Sequence, residues 1–160
     1  RRLQPGSLPS MTVAPMNGTL DLPPHIRDEM VAHARSDTPF ETCGLLATDA
    51  EGRIAGHWPV PNADRSMTWF RMEPKAQLKA MREMDDEDLE WAAIWHCHTH
   101  TEAYPSPTDI EQSAYWPGIV AIIVSLQDPE PVIRAYDITD GQVSERVLTV
   151  AQEAQPQGPR

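Results

Sequence analysis

Two histidines and one aspartate within fourteen residues carry the clearest chemical signal in the chain. His96 and His98 flank Cys97, and Asp109 follows eleven positions after His98. Imidazole nitrogens and a carboxylate oxygen are ligands that zinc accepts, and three protein ligands leave the fourth tetrahedral position open, as in catalytic zinc sites. The spacing therefore predicts a catalytic rather than a closed structural metal site.

The histidines lie at the carboxyl end of a predicted strand, residues 91–97. Side chains alternate along a strand, so His96 and His98 project to one face and Cys97 to the other. Asp109 reaches the same place only if the intervening loop folds back over the strand end. The sequence thus requires a strand, a return loop and a helix start to build one site.

The residues around Asp109 also have a purely structural interpretation. Ser106-Pro107-Thr108-Asp109 is typical of a helix start, with serine as the cap, proline at the first position and an acid at the third. Taken alone, this tetrapeptide favours a cap over a metal site. The two interpretations are compatible, because a serine that caps the helix is held close to Asp109.

A third histidine, His100, leaves other ligand sets open. His96, His98 and His100 lie at even offsets, so a three-histidine site is formally possible, as is a set of His98, His100 and Asp109. Positions four apart on one strand spread by roughly 13 Å, and neighbouring ligand positions by roughly 6–7 Å. We therefore expect His100 to be a loop residue near the substrate entrance.

A carboxylate far upstream and two cysteines complete the chemically capable residues. Glu41 opens the segment Glu-Thr-Cys-Gly-Leu-Leu and is available as a general base. Cys43 and Cys97 could form a disulfide, but such sparse usage without a secretory signal favours reduced thiols in a cytoplasmic protein. We expect both to be buried, since free cysteine is among the most buried residue types.

The bulk composition limits the class of protein. The chain has 160 residues and a net charge of −11, which argues against nucleic-acid binding because that needs a basic surface. Its sequence contains no apolar run near the roughly 18 residues of a membrane span. We expect a disordered or expression-derived segment at residues 1–18, one catalytic domain at 19–150 and a flexible tail at 151–160.

Hydrophobic periodicity and turn residues predict a mixed α/β (α+β) domain. The predicted helices are 25–35, a second that starts at residue 74 and carries Leu78, Met81 and Met84, and a third at 106–115. The predicted strands are 42–48, 52–60, 66–72, 91–97, 119–126, 132–138 and 143–150, with Asp140-Gly141 as a hairpin turn. This order suggests helices packed on a strongly curved sheet.

The motif resembles the JAMM motif of the MPN-domain metalloproteases. The matching positions are Glu41, then His96-x-His98, seven residues, Ser106, two residues and Asp109. The resemblance runs from about residue 26 to residue 150, and its register favours His96 and His98 over the His98/His100 pair. It implies the MPN fold, which is cytidine-deaminase-like, with a curved mixed β-sheet flanked by about three helices.

The resemblance also implies a role for each residue. Zn²⁺ is held by His96, His98 and Asp109 and polarises a water molecule, whose pKa falls from 15.7 to about 7. Glu41 takes the proton from that water and delivers it to the departing amine. Ser106 donates a hydrogen bond to the oxyanion of the tetrahedral intermediate.

Residues 62–66 and 101–106 are most similar to those of small bacterial members that serve ubiquitin-like sulfur-carrier proteins. The implied reaction cleaves the amide after the carrier's C-terminal Gly-Gly and releases cysteine, although His100 departs from the small residue expected there. Alternatives are an isopeptidase or a C-terminal trimming peptidase for a ubiquitin-like modifier, and a non-catalytic MPN scaffold. The oligomeric state is left open, with a homodimer as one option.

Overall fold

The computed structural model describes residues 18–151. The two predicted tails therefore lie outside the described residues, except for Gly18 and Ala151. Among residues 18–151, no helix is long and apolar enough to cross a membrane. The helices are α1 (Pro24–Ser36), α2 (Pro74–Asp86), α3 (Pro107–Gln112) and a 3₁₀ helix (Ser113–Tyr115); the strands are β1 (Leu20–Leu22), β2 (Cys43–Thr48), β3 (Ile54–Val60), β4 (Glu90–His98), β5 (Val120–Ser125), β6 (Val132–Thr139), β7 (Gln142–Arg146) and β8 (Leu148–Val150).

The central sheet has six strands in the order β3-β2-β4-β5-β6-β7. Its neighbours are antiparallel except for β4 and β5, which run parallel and place His98 opposite Ser125. Parallel neighbours need a crossover connection, and this one contains the loop after His98, α3 and the 3₁₀ helix. The crossover thus returns the chain to the end of β4, and the predicted mixed α/β class is confirmed.

The two faces of the sheet are covered by different helices. Helix α1 buries its apolar stripe on one face, where the core includes Trp95 and Cys97 of β4. Helix α2 covers part of the opposite face, where Ile94 belongs to a second core cluster. Alternation along β4 therefore turns His96 and His98 toward one face, as the sequence predicted, and the structure shows that this is the α2 face.

Helix α2 starts where the sequence predicts but buries only one of the three apolar residues named for it. Pro74 is its first residue, and the Glu73 carboxylate caps it by accepting hydrogen bonds from two backbone N–H groups. Its buried side chains are Ala80 and Met84, whereas Leu78 is 50% exposed and Met81 is 37% exposed. The apolar spacing predicted the helix and its buried Met84, but Leu78 and Met81 are exposed rather than packed in the core.

Residues 66–72 do not form the predicted strand. The segment has one isolated antiparallel bridge, between Asn62 and Met72, in place of a strand ladder. The Asn62 amide holds it in place: its Nδ2 donates to the carbonyls of Glu41 and Trp69, and its Oδ1 accepts from the N–H groups of Asp64 and Arg71. Side-chain hydrogen bonds replace the sheet ladder here, which strand periodicity does not reveal.

The predicted strand 143–150 is two strands that belong to different sheets. The turn at Asp140-Gly141 is confirmed, and both residues have positive φ angles of 51° and 77°, as a hairpin turn of this type requires. Strand β7 pairs with β6, but β8 leaves that sheet and pairs in parallel with β1. Strand β1 was not predicted; it buries Leu20 and Leu22 against the core under α1.

Gly44 permits a close approach between β2 and the indole of Trp95. A Cβ atom at this position would lie 2.3 Å from Trp95 Nε1 and 2.9 Å from the Trp58 carbonyl oxygen. We expect Gly44→Ala to lower the free energy of unfolding by about 1–3 kcal/mol, since an overpacked core must shift. Urea denaturation measures this loss.

Trp95→Phe supplies the control, because the cost of Gly44→Ala should shrink when the indole nitrogen is absent. The double-mutant cycle then shows a coupling energy between the two sites. Unchanged stability in Gly44→Ala would contradict the close approach.

Trp95 also takes part in a hydrogen-bond chain that runs from the core to the exposed Glu29. Its Nε1–H donates to His57 Nε2 at 3.0 Å, and His57 Nδ1 lies 3.0 Å from a Glu29 carboxylate oxygen. Because an indole nitrogen only donates, His57 Nε2 must accept, so the proton of the neutral ring is on Nδ1 and points to Glu29. Burial lowers the pKa of His57 from its ordinary 6.5, although Glu29 opposes this.

The lowered pKa of His57 predicts a loss of stability in mild acid. Below the unfolded pKa of 6.5 the unfolded chain gains a proton that the folded chain resists, so stability falls as pH decreases. His57→Gln, which can keep both hydrogen bonds, should lose less unfolding free energy than wild type between about pH 7.5 and 5.5. The exposed His25→Gln is the control and should behave like wild type in these denaturation curves.

Candidate metal centre

The crossover brings three side chains of the predicted motif together at the end of β4. His96 Nε2 and His98 Nε2 are 3.0 Å apart, and Asp109 Oδ2 lies 3.2 Å from the first and 3.1 Å from the second. All three residues are buried. Among residues 18–151 they form the group of histidines, cysteines and acids whose ligand atoms could share a metal ion.

The dimensions of this triangle fit a tetrahedral zinc ion. Ligands held at about 2.05 Å from zinc at tetrahedral angles lie about 3.3 Å from one another, close to the 3.0–3.2 Å edges observed. Two imidazoles and a carboxylate are also a donor set that zinc accepts. Both the size and the chemistry of the cluster therefore fit the ion.

Asp109 belongs to the metal cluster and to the start of α3 at the same time. Ser106 Oγ accepts from the Asp109 N–H at 3.1 Å, and Asp109 Oδ2 accepts from the Ser106 N–H at 2.9 Å, which is a complete capping box. The cap and the site are thus compatible, as predicted. Burial alone would raise the pKa of Asp109, but the adjacent imidazoles and the Ser106 N–H hold it well below its usual range.

Backbone and aromatic contacts fix the orientation of the two imidazoles. His98 Nδ1 lies 2.9 Å from the Glu102 carbonyl oxygen, which can only accept, so Nδ1 carries a proton and Nε2 faces the cluster. Phe70 stacks on His96 with ring centroids 4.5 Å apart. Sequence reasoning missed Phe70, which it placed in a strand between residues 66 and 72.

Glu41 is buried beside the cluster, with only 4% of its surface exposed. Its N–H donates to the Ser66 carbonyl at 2.8 Å, and its carbonyl accepts from Asn62. Its Oε2 is buried without a hydrogen-bond partner among the described residues. Burial raises the pKa of Glu41 to about 8, with the charge of His98 opposing and that of Asp109 adding to the rise.

The other candidate residues lie outside the cluster. Strand β4 ends at His98, and His100 is an exposed residue of the following bend. The geometry therefore does not support the three-histidine set or the set of His98 and His100 with Asp109. Cys43 and Cys97 are buried, free thiols, as expected, and Cys97 belongs to the core on the α1 face.

A pocket adjoins the cluster on the side of β5 and α3. It is partly open to solvent and has His96 and Asp109 in its wall. A shallow groove on the α2 side shares Phe70, Gln112 and Trp116 with this pocket. The two depressions therefore adjoin each other near the cluster.

Comparison with known proteins gives the family. The family model described as prokaryotic homologs of the JAB domain matches residues 23–139. The CysO-cysteine peptidase of Mycobacterium bovis is 43% identical over 126 residues, which cover 78% of this chain and 86% of that protein. The desampylase of Haloferax volcanii is 30% identical over 140 residues, covering 84% of this chain and 96% of that protein.

The fold comparison agrees with the sequence comparison. The solution structure of a protein from Desulfitobacterium hafniense superposes with a TM-score of 0.76 at 31% identity, covering 85% of this chain and 95% of the other. The family match spans most of the chain and includes every residue of the predicted motif, from Glu41 to Asp109. The chain therefore belongs to the prokaryotic homologs of the JAB domain, the family of JAMM/MPN proteins that its motif resembles.

Proposed function

We propose that this chain is a zinc-dependent hydrolase that cleaves the amide after the C-terminal Gly-Gly of a ubiquitin-like sulfur-carrier protein and releases cysteine. The observation that carries the proposal is the triangle of His96, His98 and Asp109 with the unpartnered Glu41 carboxylate beside it. The similarity to a CysO-cysteine peptidase supports the choice of substrate. We place the reaction in the cytoplasm, where the two free thiols would stay reduced.

In the proposed reaction, the three ligands would hold the metal ion and Glu41 would transfer protons. A bound zinc ion would polarise a water molecule and bring its pKa to about 7. Glu41 Oε2, which has no hydrogen-bond partner among the described residues, would accept a proton from that water and return it to the leaving amine.

Ser106 would stabilise the developing oxyanion. Its Oγ oxygen already accepts the Asp109 N–H bond at 3.1 Å, which leaves its own O–H free to donate. The capping box holds this hydroxyl on the first turn of α3, next to the carboxylate ligand. A donor fixed before the reaction lowers the barrier because it needs no reorganisation when charge develops.

The adjoining groove and pocket would receive the carrier's tail. The groove is lined by residues of the loop before α2, including Phe70 and Arg71, and by Gln112, Tyr115 and Trp116 at the end of the crossover. A flexible tail could lie there in extended form and reach the cluster beside His96. Glycines suit such a passage because their lack of a side chain lets the backbone approach closely.

A second candidate substrate is a conjugate linked through a lysine side chain. It is favoured by the similarity to a desampylase at 30% identity. Both substrates present a carrier tail on one side of the scissile bond and differ in the leaving amine. The metal, Glu41 and Ser106 would act alike on either substrate. The preference between the two substrates therefore depends on how the protein binds the leaving amine.

The test offers the zinc-loaded protein one carrier in two forms, joined to cysteine or to a lysine side chain. Mass spectrometry of the products separates the alternatives. We expect faster cleavage of the cysteine adduct, with loss of one cysteine and a carrier that ends in Gly-Gly. Cleavage of the lysine-linked form alone would favour the second substrate, and no cleavage of either would contradict the proposed activity.

A further inference from the structure

The loop between β4 and α3 is held by hydroxyl groups that come from other elements. Ser125 Oγ, at the end of β5, donates to the Thr101 carbonyl at 2.5 Å. The Tyr136 hydroxyl, on β6, donates to the Ala103 carbonyl. Both donors are buried, with 3% and 2% of their surfaces exposed. The two anchored carbonyls lie on either side of Glu102.

The carbonyl between these two anchors is the one that meets a cluster histidine. The Glu102 oxygen lies 2.9 Å from His98 Nδ1 and also accepts from the Tyr104 N–H at 2.8 Å. Its position sets the direction of the imidazole, because a hydrogen bond at Nδ1 fixes both the ring and its tautomer. The exposed Glu102 side chain has no part in this contact.

We propose that Tyr136 and Ser125 are positioning residues for the metal centre: by holding the carbonyls on both sides of Glu102, they aim its oxygen at His98 Nδ1 and so direct His98 Nε2 toward the ion. This inference rests on the proposed function, since it assumes that the cluster binds zinc. Neither hydroxyl belongs to the cluster, so each acts through the loop.

The packing around Tyr136 supports a fixed rather than a mobile anchor. Its ring belongs to a small core cluster with Ile123 and Ala103. The ring of Tyr104 meets it edge-on, with centroids 5.5 Å apart. The aromatic body is thus held on two sides, and removal of the hydroxyl alone should leave the ring in place.

Tyr136→Phe tests the proposal, with Tyr104→Phe as the matched control. Both changes remove one phenolic hydroxyl, but that of Tyr104 is on a half-exposed ring and makes no hydrogen bond to the described residues. Competition with a chromophoric chelator measures zinc affinity. We expect Tyr136→Phe to weaken it about 10-fold, the lower end of the range for partners that orient a ligand, and Tyr104→Phe to leave it unchanged.

A second measurement separates positioning from general loosening of the fold. In NMR spectra of the zinc-loaded protein, the His98 Nδ1–H signal should exchange with water faster in Tyr136→Phe than in wild type, while amide protons of β2 keep their protection. Ser125→Ala should act in the same direction and serves if Tyr136→Phe does not fold. Faster exchange throughout the sheet would indicate a merely structural role and would overturn the proposal.

The outcomes also distinguish this inference from the proposed function. If wild type binds zinc and both Tyr136→Phe and Ser125→Ala bind it equally well, the positioning role is wrong while the metal centre stands. If wild type binds no zinc at all, the proposed function fails, and the positioning role fails with it.

Discussion

Glu41→Gln should bind zinc as wild type does and yet lose most of its turnover. Glutamine keeps the size of the side chain but cannot accept and return a proton, and general acid–base catalysis contributes typically 10²–10⁴-fold. We therefore expect kcat on the carrier–cysteine adduct to fall by about that factor. The measurement pairs initial rates with the zinc content of the same preparation.

A control variant and a stability measurement make this result specific. Glu111→Gln is the same chemical change on an exposed part of α3, and it should leave the rate unchanged. In the metal-free protein at alkaline pH, Glu41→Gln should have a higher free energy of unfolding than wild type. The raised pKa of Glu41 means that its favourable contribution is complete below the ordinary value of 4.5 and is lost as pH rises through about 8. A rate near wild type in Glu41→Gln would remove Glu41 from the proposed chemistry.

Asp109→Asn should abolish activity by a different route, through loss of the metal. The amide has nearly the shape of the carboxylate but lacks its charge, which lowers its value as a zinc ligand. The loss of zinc affinity should exceed the roughly 10–100-fold that a missing outer partner costs. Metal-content analysis after dialysis against a weak chelator measures it.

Asp109→Asn should remove a metal ligand without removing the cap of α3, so a loss of activity can be assigned to the metal. An asparagine oxygen can still accept the Ser106 N–H, so α3 should keep its cap. The exposed Asp128→Asn is the control for the loss of one negative charge. If Asp109→Asn retained stoichiometric zinc and full activity, the third ligand would have to be sought elsewhere.

The sequence predicts that His96, His98 and Asp109 lie together because the strand end and the helix start each have a local signature. Alternation along residues 91–97 placed His96 and His98 on one face, and the strand end confines His100 to the loop. The Ser-Pro-x-Asp start predicted a helix cap, which the structure shows in full. Strand periodicity and capping depend on neighbours in sequence, so both could be recognised without the fold.

The parts that the sequence did not predict depend on distant partners. Strand β8 separates from β7 to pair with β1, more than a hundred residues upstream, and a three-residue strand has no periodicity to recognise. Residues 66–72 alternate like a strand, but hydrogen bonds from Asn62 hold them as a loop.

The residues around the cluster could not be predicted from the sequence for the same reason. Phe70 stacks on His96 only because that loop folds over the end of β4. The hydroxyls of Ser125 and Tyr136 reach carbonyls more than twenty residues away in sequence. No local pattern distinguishes them from other serines and tyrosines of a strand, so only the fold reveals their contacts.

The most direct test of the metal centre is an anomalous difference map, recorded at the zinc absorption edge, from crystals of the protein purified with zinc at neutral pH. The account predicts one strong peak per chain within about 2.0–2.2 Å of His96 Nε2, His98 Nε2 and an Asp109 carboxylate oxygen. A map without a peak between these three side chains, or with the ion bound by other residues, would contradict it.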